Sequence, residues 1–487
     1  MALTIQTSVV MDKLIARERE KKVLEDVMNS CRSELVVLRG RRRVGKTFLI
    51  RSFFQDKYTF HFVGRYRKKK AEQLEAFRCE LVRCSGDESI PELVSWKDAF
   101  LQLQRYLEDC RDERKVIFLD EIPWMDRYGN ELISELDDFW NTWVTNRDDI
   151  VLIVCGSATN WMRQKFEKNR GGLHRRITHR LYLRPFFLNE VKDYLQYKGI
   201  DWSDYMIIQC YMLLGGIPYY LSLLRPNLSL PQNIDELIFR RGGELEDEYE
   251  ELFPALFNKA DKYVQVIRLL SKRHEGFTRQ EIEQYMGGGG SLSAILDNLV
   301  DCDFVGRFPQ MGNKERGMLY RLSDMFLLFY FRYIEGNNTR DEHFWLHHHR
   351  DRSVESWQGY SFEQVCLTHL SQIKHGLGIS GIATECSAWR FQPRKEDGRK
   401  GAQVDLVIRR ADRLTHLVEM KFSEQPYEID KDYEERLRVR RMTFSSVTGI
   451  SHGLLDTFIT PEGIKRNSHS SFVHSELTSK DLFAACE

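Results

Sequence analysis

The sequence contains no apolar run of 18 residues, so no stretch reads as a transmembrane helix. Its first residues lack the apolar centre of a secretory signal. The ten cysteines are scattered and none forms a C-x-x-C pair. That pattern suits free thiols in a reducing cytosol rather than a disulfide framework. No charge of either sign is in excess: 72 Lys and Arg face 72 Asp and Glu, for a formal net charge of zero. Both an acidic disordered chain and a wholly basic nucleic-acid binder are therefore excluded, and any nucleic-acid contact must come from local patches. These absences predict a soluble, cytoplasmic protein. At 487 residues the chain exceeds one ordinary core, and three or four domains are expected.

What is present begins at Gly40-Arg41-Arg42-Arg43-Val44-Gly45-Lys46-Thr47, a complete G-x-x-x-x-G-K-[ST] loop. The apolar run Leu35–Leu38 precedes it and reads as a buried strand; Thr47–Phe54 follows and reads as a helix. Strand, glycine loop and helix are the context in which backbone N–H groups can cradle a β-phosphate at a helix N-terminus. Lys46 would then reach the β- and γ-phosphates and the Thr47 hydroxyl would ligate Mg²⁺. A second apolar strand, Lys115–Leu119, ends in Asp120 and Glu121. Asp120 would hold Mg²⁺ through water, and Glu121 would polarise the water that attacks the γ-phosphate. A third strand, Ile150–Cys155, ends in Gly156-Ser157, where the hydroxyl could touch the γ-phosphate or that water. A chance glycine turn, two solvated acids and an ordinary Gly-Ser turn are the competing readings. The first two elements at the right spacing favour phosphate chemistry, while Gly-Ser by itself carries little.

Several further stretches point the same way. They are Arg17-Glu18-Arg19-Glu20, Leu119-Asp120-Glu121-Ile122, Gly156-Ser157, the segment Arg176…Arg180…Pro185 and Gly215-Gly216-Ile217-Pro218-Tyr219-Tyr220. Over about residues 10–230 they resemble the archaeal-type ATPase family, a P-loop branch close to the AAA+ and STAND ATPases. Arg175 stands where that family usually has glycine. The resemblance implies an ATP-binding, ATP-hydrolysing core at 1–200 with a parallel sheet, and a helical lid at 201–260. It also makes Arg176 the preferred arginine to neutralise transition-state charge, acting in its own subunit or across a homo-oligomer interface. A solvated basic loop, or pairing with the acidic run Gly243–Glu251, is the alternative for Arg175, Arg176 and Arg180. That acidic run itself reads as a solvated helix face.

Residues 261–335 read as a winged helix: a capped helix from Thr278, a glycine turn at 287–290, an amphipathic helix over Ser291–Val300, and a hairpin formed by Phe304–Arg307 and Met318–Leu322. The second helix carries no Lys or Arg. Phosphate contacts need such charges, so packing or protein contact is favoured over base reading.

The last segment, 340–487, places Asp405 on one strand and Glu419-Met420-Lys421 on the next, with a turn at Arg410–Arg413 between them. Strand alternation puts Glu419 and Lys421 on one face. Glu363 on an upstream helix could add another carboxylate. This set resembles the PD-(D/E)XK nuclease superfamily, and more narrowly the module that often follows archaeal-type ATPases. The resemblance implies an α/β restriction-endonuclease-like fold. Glu363, Asp405 and Glu419 would be its metal ligands; Asp405, Glu419 and Lys421 would be its catalytic core. Val404-Asp405 replaces the usual Pro-Asp. An ordinary cross-strand Glu–Lys pair is the plain alternative. Arg390, Arg394, Lys395, Arg399 and Lys400 could meet phosphates of DNA or RNA, or form a solvated loop. His347-His348-His349 is not expected to bind a metal, since adjacent histidines point apart. The sequence thus predicts an α/β P-loop ATPase coupled to a nuclease-like effector, with ATP and Mg²⁺ as cofactors. The alternative is a signalling or scaffolding ATPase whose last domain binds a partner without cutting it.

Overall fold

The computed structural model describes residues 13–126, 129, 131–157, 159–168, 172–257, 260–288, 291–312, 317–337, 341–393 and 401–486. The chain divides into two compact units, Met1–Arg184 and Pro185–Glu487, where the sequence suggested four segments.

The first unit is built on a five-stranded sheet, order β2-β3-β4-β1-β5. Its strands are β1 (Glu34–Arg39), β2 (Phe60–Val63), β3 (Lys115–Asp120), β4 (Ile150–Gly156) and β5 (His179–Tyr182). All neighbours run parallel. Every residue of β3 and β4 is buried, which is why both read as unbroken apolar runs rather than alternating ones. Helices Lys70–Ser85, Trp96–Asp109 and Glu131–Thr142 supply Phe77, Trp96, Phe100 and Phe139 to a core shared with Leu35, Val37, Ile117 and Leu152. The register places Leu119 beside Val154 and Arg39 beside Gly156. The carboxyl ends of β1, β3 and β4 therefore open on one edge.

The second unit starts with helices Leu188–Tyr197, Asp204–Leu214 and Pro218–Ser222. Gly216 sits where any Cβ would lie 2.0 Å from the Phe186 carbonyl oxygen. Its own carbonyl accepts from Phe186 N at 2.6 Å. The Pro185-Phe186 and Gly215-Gly216 stretches thus meet as backbone against backbone. The acidic run is not a solvated face throughout. Glu248, at the start of helix Glu248–Leu256, is 3% exposed and accepts the Tyr220 hydroxyl.

A small antiparallel sheet follows, order β6-β8-β7, from β6 (Phe277–Thr278), β7 (Val305–Phe308) and β8 (Leu319–Leu322). It packs with helices Ala260–Leu270, Arg279–Tyr285 and Leu292–Asp301. Thr278 caps the second of these reciprocally with Glu281. Two residues of the expected glycine turn, 289 and 290, lie outside the described residues.

The final sheet has order β13-β12-β11-β10-β9. Its strands are β9 (Thr384–Phe391), β10 (Ala402–Arg410), β11 (Thr415–Met420), β12 (Leu454–Ile459) and β13 (Ser475–Leu477). β9, β10 and β11 are antiparallel neighbours, and β12 and β13 continue in parallel after the crossover helix Lys431–Thr448. Between Val404 and Val407 the β9–β10 register gains one residue on β10, a bulge at Asp405-Leu406. Such bulges re-aim a side chain. Among the described residues no helix is long and apolar enough to cross a membrane.

Candidate functional site

At the sheet edge of the first unit the loop after β1 turns directly into helix Lys46–Phe54. Gly40 is required by proximity: a Cβ there would stand 2.3 Å from the Leu183 carbonyl oxygen, beside the Leu183 N–H that bonds Arg39 O. Gly45 is required by conformation, with φ of 88°. Arg43 also takes a positive φ, 73°, while Arg41 is buried. The buried Arg17 donates to Val44 O at 3.3 Å and so braces the loop from outside the motif. Arg42 is half-buried.

Lys46 Nζ is buried and donates to Arg41 O at 2.9 Å, across the loop it belongs to. Thr47 Oγ1 donates to Asp120 Oδ2 at 2.6 Å. Glu121 follows in a left-handed conformation, φ 47°. Its carboxylate accepts from the Ser157 hydroxyl and, at 3.2 Å, from Ser157 N. Burial pushes the Glu121 carboxyl up, against the opposing pull of Lys46 and the Ser157 hydroxyl. Lys46, Thr47, Asp120, Glu121 and Ser157 therefore converge from three adjacent strand ends. The Thr47 hydroxyl and Asp120 carboxylate are hard oxygen donors of the kind Mg²⁺ takes alongside phosphate oxygens, so this pair fits that ion.

Arg176 is not part of this convergence. His179 pairs with Val36 and Thr178 N bonds Leu35 O, so Arg176 precedes the amino-terminal edge of the sheet. There it is exposed and donates to Asn141 Oδ1 at 3.0 Å. The phosphate loop leaves the opposite edge, about 15–20 Å away at the rise of a strand. The structure does not bring Arg176 to the phosphate loop of its own chain. Arg175 is exposed too, and Arg180 lies on β5 opposite Val37.

In the second unit Glu363, on helix Arg352–Thr368, lies within electrostatic reach of Asp405 at the β10 bulge and of Lys421 and Glu419. Burial, reinforced by the neighbouring Asp405 carboxylate, raises the Glu363 carboxyl well above the usual range. Burial and the Glu419 charge push Asp405 up to about 6. Glu419 differs. Its burial is outweighed by Arg440 and Lys421, and it falls to about 2. Lys421 Nζ pairs with Glu419 Oε1 at 2.7 Å, Arg440 pairs with its other oxygen, and the Tyr433 hydroxyl donates to it. With these partners Glu419 does not close a three-carboxylate cage, and no three Asp, Glu, His or Cys side chains among the described residues stand close enough to hold a metal. Glu363 and Asp405 are half-buried acids whose oxygens are donors of the kind a divalent cation takes, whereas Glu419 is already neutralised.

Arg440 and Tyr433 went unread in the sequence, although four arginines between Arg436 and Arg441 on one helix are a signal. Arg321 of β8 is a further addition. It is 7% exposed, fixed by Nε to Glu275 O at 2.9 Å, and lies in the field of Glu363 and Asp405. Arg390 bonds Glu275 at 3.4 Å. Arg394, Lys395, Arg399 and Lys400 lie outside the described residues. His347 and His348 each pair with a separate carboxylate, Asp341 and Asp351.

Comparison with known proteins bears on the domain that holds the first of these sites. Residues 14–224 match the model of an ATPase domain found predominantly in Archaea. The chain carries an archaeal-type ATPase domain. It is 23% identical over 434 residues, 88% of its own length and 92% of the relative's, to an uncharacterised protein of Methanocaldococcus jannaschii. A 43-residue stretch is 44% identical to an uncharacterised ATP-binding protein of the same organism, covering 9% of this chain and 73% of that one. Among solved structures it is similar to a Walker-type ATPase of Pyrococcus abyssi, at 17% identity and TM-score 0.47 over 66% of this chain and 96% of that one. It is also similar to the ORC2 protein of Aeropyrum pernix, at 14% identity and TM-score 0.40 over 65% and 93%.

Proposed function

We propose that this protein binds and hydrolyses ATP with Mg²⁺ and couples that cycle to a nuclease-like C-terminal domain. The observation that carries the ATPase reading is the meeting of Lys46, Thr47, Asp120, Glu121 and Ser157 at one edge of the parallel sheet. Lys46 leaves the Arg41 carbonyl for the β- and γ-phosphates. Thr47 and Asp120 hold the cation, which when bound screens phosphate charge. Glu121, oriented by both the hydroxyl and the N–H of Ser157, positions the attacking water and accepts its proton. Arg176 contributes only from a neighbouring subunit. Turnover of radiolabelled ATP by wild type, Lys46→Ala and Glu121→Gln tests this. Loss in both variants is expected, and equal turnover in all three ends the reading.

For the second unit, the winged-helix reading is supported by the order of capped helix, second helix and hairpin. The nuclease-like reading is supported by the bulge at Asp405-Leu406 and by the influence of Asp405 and Lys421 on the Glu363 carboxyl. Glu363 and Asp405 would hold the cation, which stabilises charge on a phosphodiester undergoing attack. Lys421 would orient the water once it exchanges Glu419 for that role. The binding-without-cleavage reading is favoured by one observation: Glu419 is saturated by Lys421, Arg440 and Tyr433. Incubation of DNA and RNA with Mg²⁺ or Mn²⁺, with and without ATP, separates the two. Nicking lost in Asp405→Ala and Lys421→Ala supports cleavage; no nicking under any condition supports binding alone.

A further inference from the structure

A cavity of about 600 Å³ lies inside the second unit. It is walled by the end of helix Ala260–Leu270, strand β8, the segment Tyr330–Ile334 and helix Arg352–Thr368. Glu363 is part of its wall, so the cavity adjoins the acid pair. Its electrostatics favour an anion. Arg268 is occupied by Glu335 at 2.6 Å, whereas Lys272 and Arg332, also in the wall, have no carboxylate partner among the described residues. The buried Arg321, with its guanidinium fixed by the Glu275 carbonyl, lies in the field of the Glu363, Asp405 and Glu275 carboxylates. Lys272 and Arg332 are thus the cations of this wall left to meet an anion. The same wall carries an exposed flat ring. Tyr360 is 45% exposed and stacks on His274 with centroids 4.0 Å apart and planes within 23°. Cations that meet phosphates beside a free aromatic face are what an unpaired nucleotide needs. The volume falls in the range of small-ligand pockets and is too small for a duplex.

We propose that this cavity receives an unpaired nucleotide of a nucleic-acid strand, with the base on Tyr360 and phosphate at Lys272 and Arg332. The nuclease-like reading bears only on what happens next, when the strand passes Glu363. The probe is a fluorescein-labelled single-stranded oligonucleotide and its blunt duplex, titrated by anisotropy in EDTA so that no cleavage intervenes. Wild type binds the single strand more tightly than the duplex. Tyr360→Ala weakens single-strand binding about tenfold or more, the usual effect of losing one base–aromatic stack, and Tyr360→Phe restores it. Lys272→Gln with Arg332→Gln lowers the slope of log K against log salt by about 1.4. Circular dichroism checks that each variant is folded, which the exposure of Tyr360 favours. Equal binding of single strand and duplex, or Tyr360→Ala indistinguishable from wild type, overturns the inference. A separate arm with Mn²⁺ and Asp405→Asn isolates the nuclease reading. Tyr360-dependent binding without any cleavage leaves the cavity assignment standing and removes that reading; cleavage that ignores Tyr360→Ala does the reverse.

Discussion

Replacing Lys46 by alanine tests the phosphate loop by a route that does not depend on turnover. In the loop the ammonium donates to Arg41 O at 2.9 Å and offsets the charge of Glu121. Alanine removes that hydrogen bond, a loss of about 1 kcal/mol. It also leaves the Glu121 carboxylate without that opposing charge, a further loss. The melting point of each protein without nucleotide is therefore the baseline for its own shift. With nucleotide the two proteins separate. A ligand at a hundred times its dissociation constant stabilises the folded state by about 2.7 kcal/mol. The first unit has 184 residues. Domains of that size shift by about 2–4 °C per kcal/mol, so the wild-type transition should rise by about 5–11 °C. The assay is scanning fluorimetry with a non-hydrolysable ATP analogue and Mg²⁺. Lys46→Ala should lose most of the rise, while Glu121→Gln should keep it. A rise in Lys46→Ala equal to that of wild type would refute the loop's role in holding phosphate.

Other perturbations follow from single contacts. Gly40→Ala drives a methyl group against the Leu183 carbonyl, and urea unfolding of the first unit should show a loss of about 1–3 kcal/mol, the usual size of overpacking. Arg440→Met leaves Glu419 buried with one cation, and chemical denaturation of the second unit should show about 3–5 kcal/mol of destabilisation; the Arg440→Met/Glu419→Leu double variant should recover part of it. His416 lies buried against Thr457 and Arg410, and burial with the Arg410 charge depresses its pKa to about 4 from the ordinary 6.5. The unfolded chain then binds the extra proton between those values, so stability is full above pH 6.5 and is lost as pH falls toward 4, by on the order of 2–3 kcal/mol. Denaturation midpoints across that window should slope less steeply in His416→Gln.

The phosphate loop and the strands around it were legible because their chemistry needs consecutive residues and their burial on both sides leaves continuous apolar runs. Gly40-to-Thr47 and Asp120-Glu121 carry their own signal, Gly156-Ser157 carries little by itself, and parallel pairing then brings the three together. Arg176 shows the limit of such reading. Its neighbours in sequence match an arginine segment, yet its distance from the loop is set by the β1–β5 register, which no local pattern encodes. Glu248 was hidden for a related reason: nothing in an acidic run tells which member Tyr220 will bury. The bulge at Asp405-Leu406 has no glycine to announce it, and the partners of Glu419 arrive from a helix that begins 12 residues later. Long-range pairing of charged side chains is the part of the site that depends on the finished fold.

The structure also bears on how a nucleotide cycle could act on the carboxylates. The Pro185-Phe186 and Gly215-Gly216 stretches belong to the archaeal-type ATPase domain, which extends to residue 224, yet they fold with the second unit. There the helix Asp204–Leu214 is tied to the carboxylate site by rings: Tyr205 stacks on Phe422 at 4.5 Å with planes 9° apart, and Phe422 follows Lys421. The fully buried His369 accepts Leu188 N at 3.0 Å through Nε2, while its Nδ1 contacts Val365 O at 2.7 Å, joining the first helix of the unit to the one that carries Glu363. Were the Gly215-Gly216 segment to move as the proposed coupling requires, these packed side chains would be the route to Lys421 and Glu363. Coupling of this kind needs two discrete packings. The Tyr205–Phe422 stack is the contact whose making or breaking would distinguish them, because it joins the ATPase-derived helix to the residue next to the lysine.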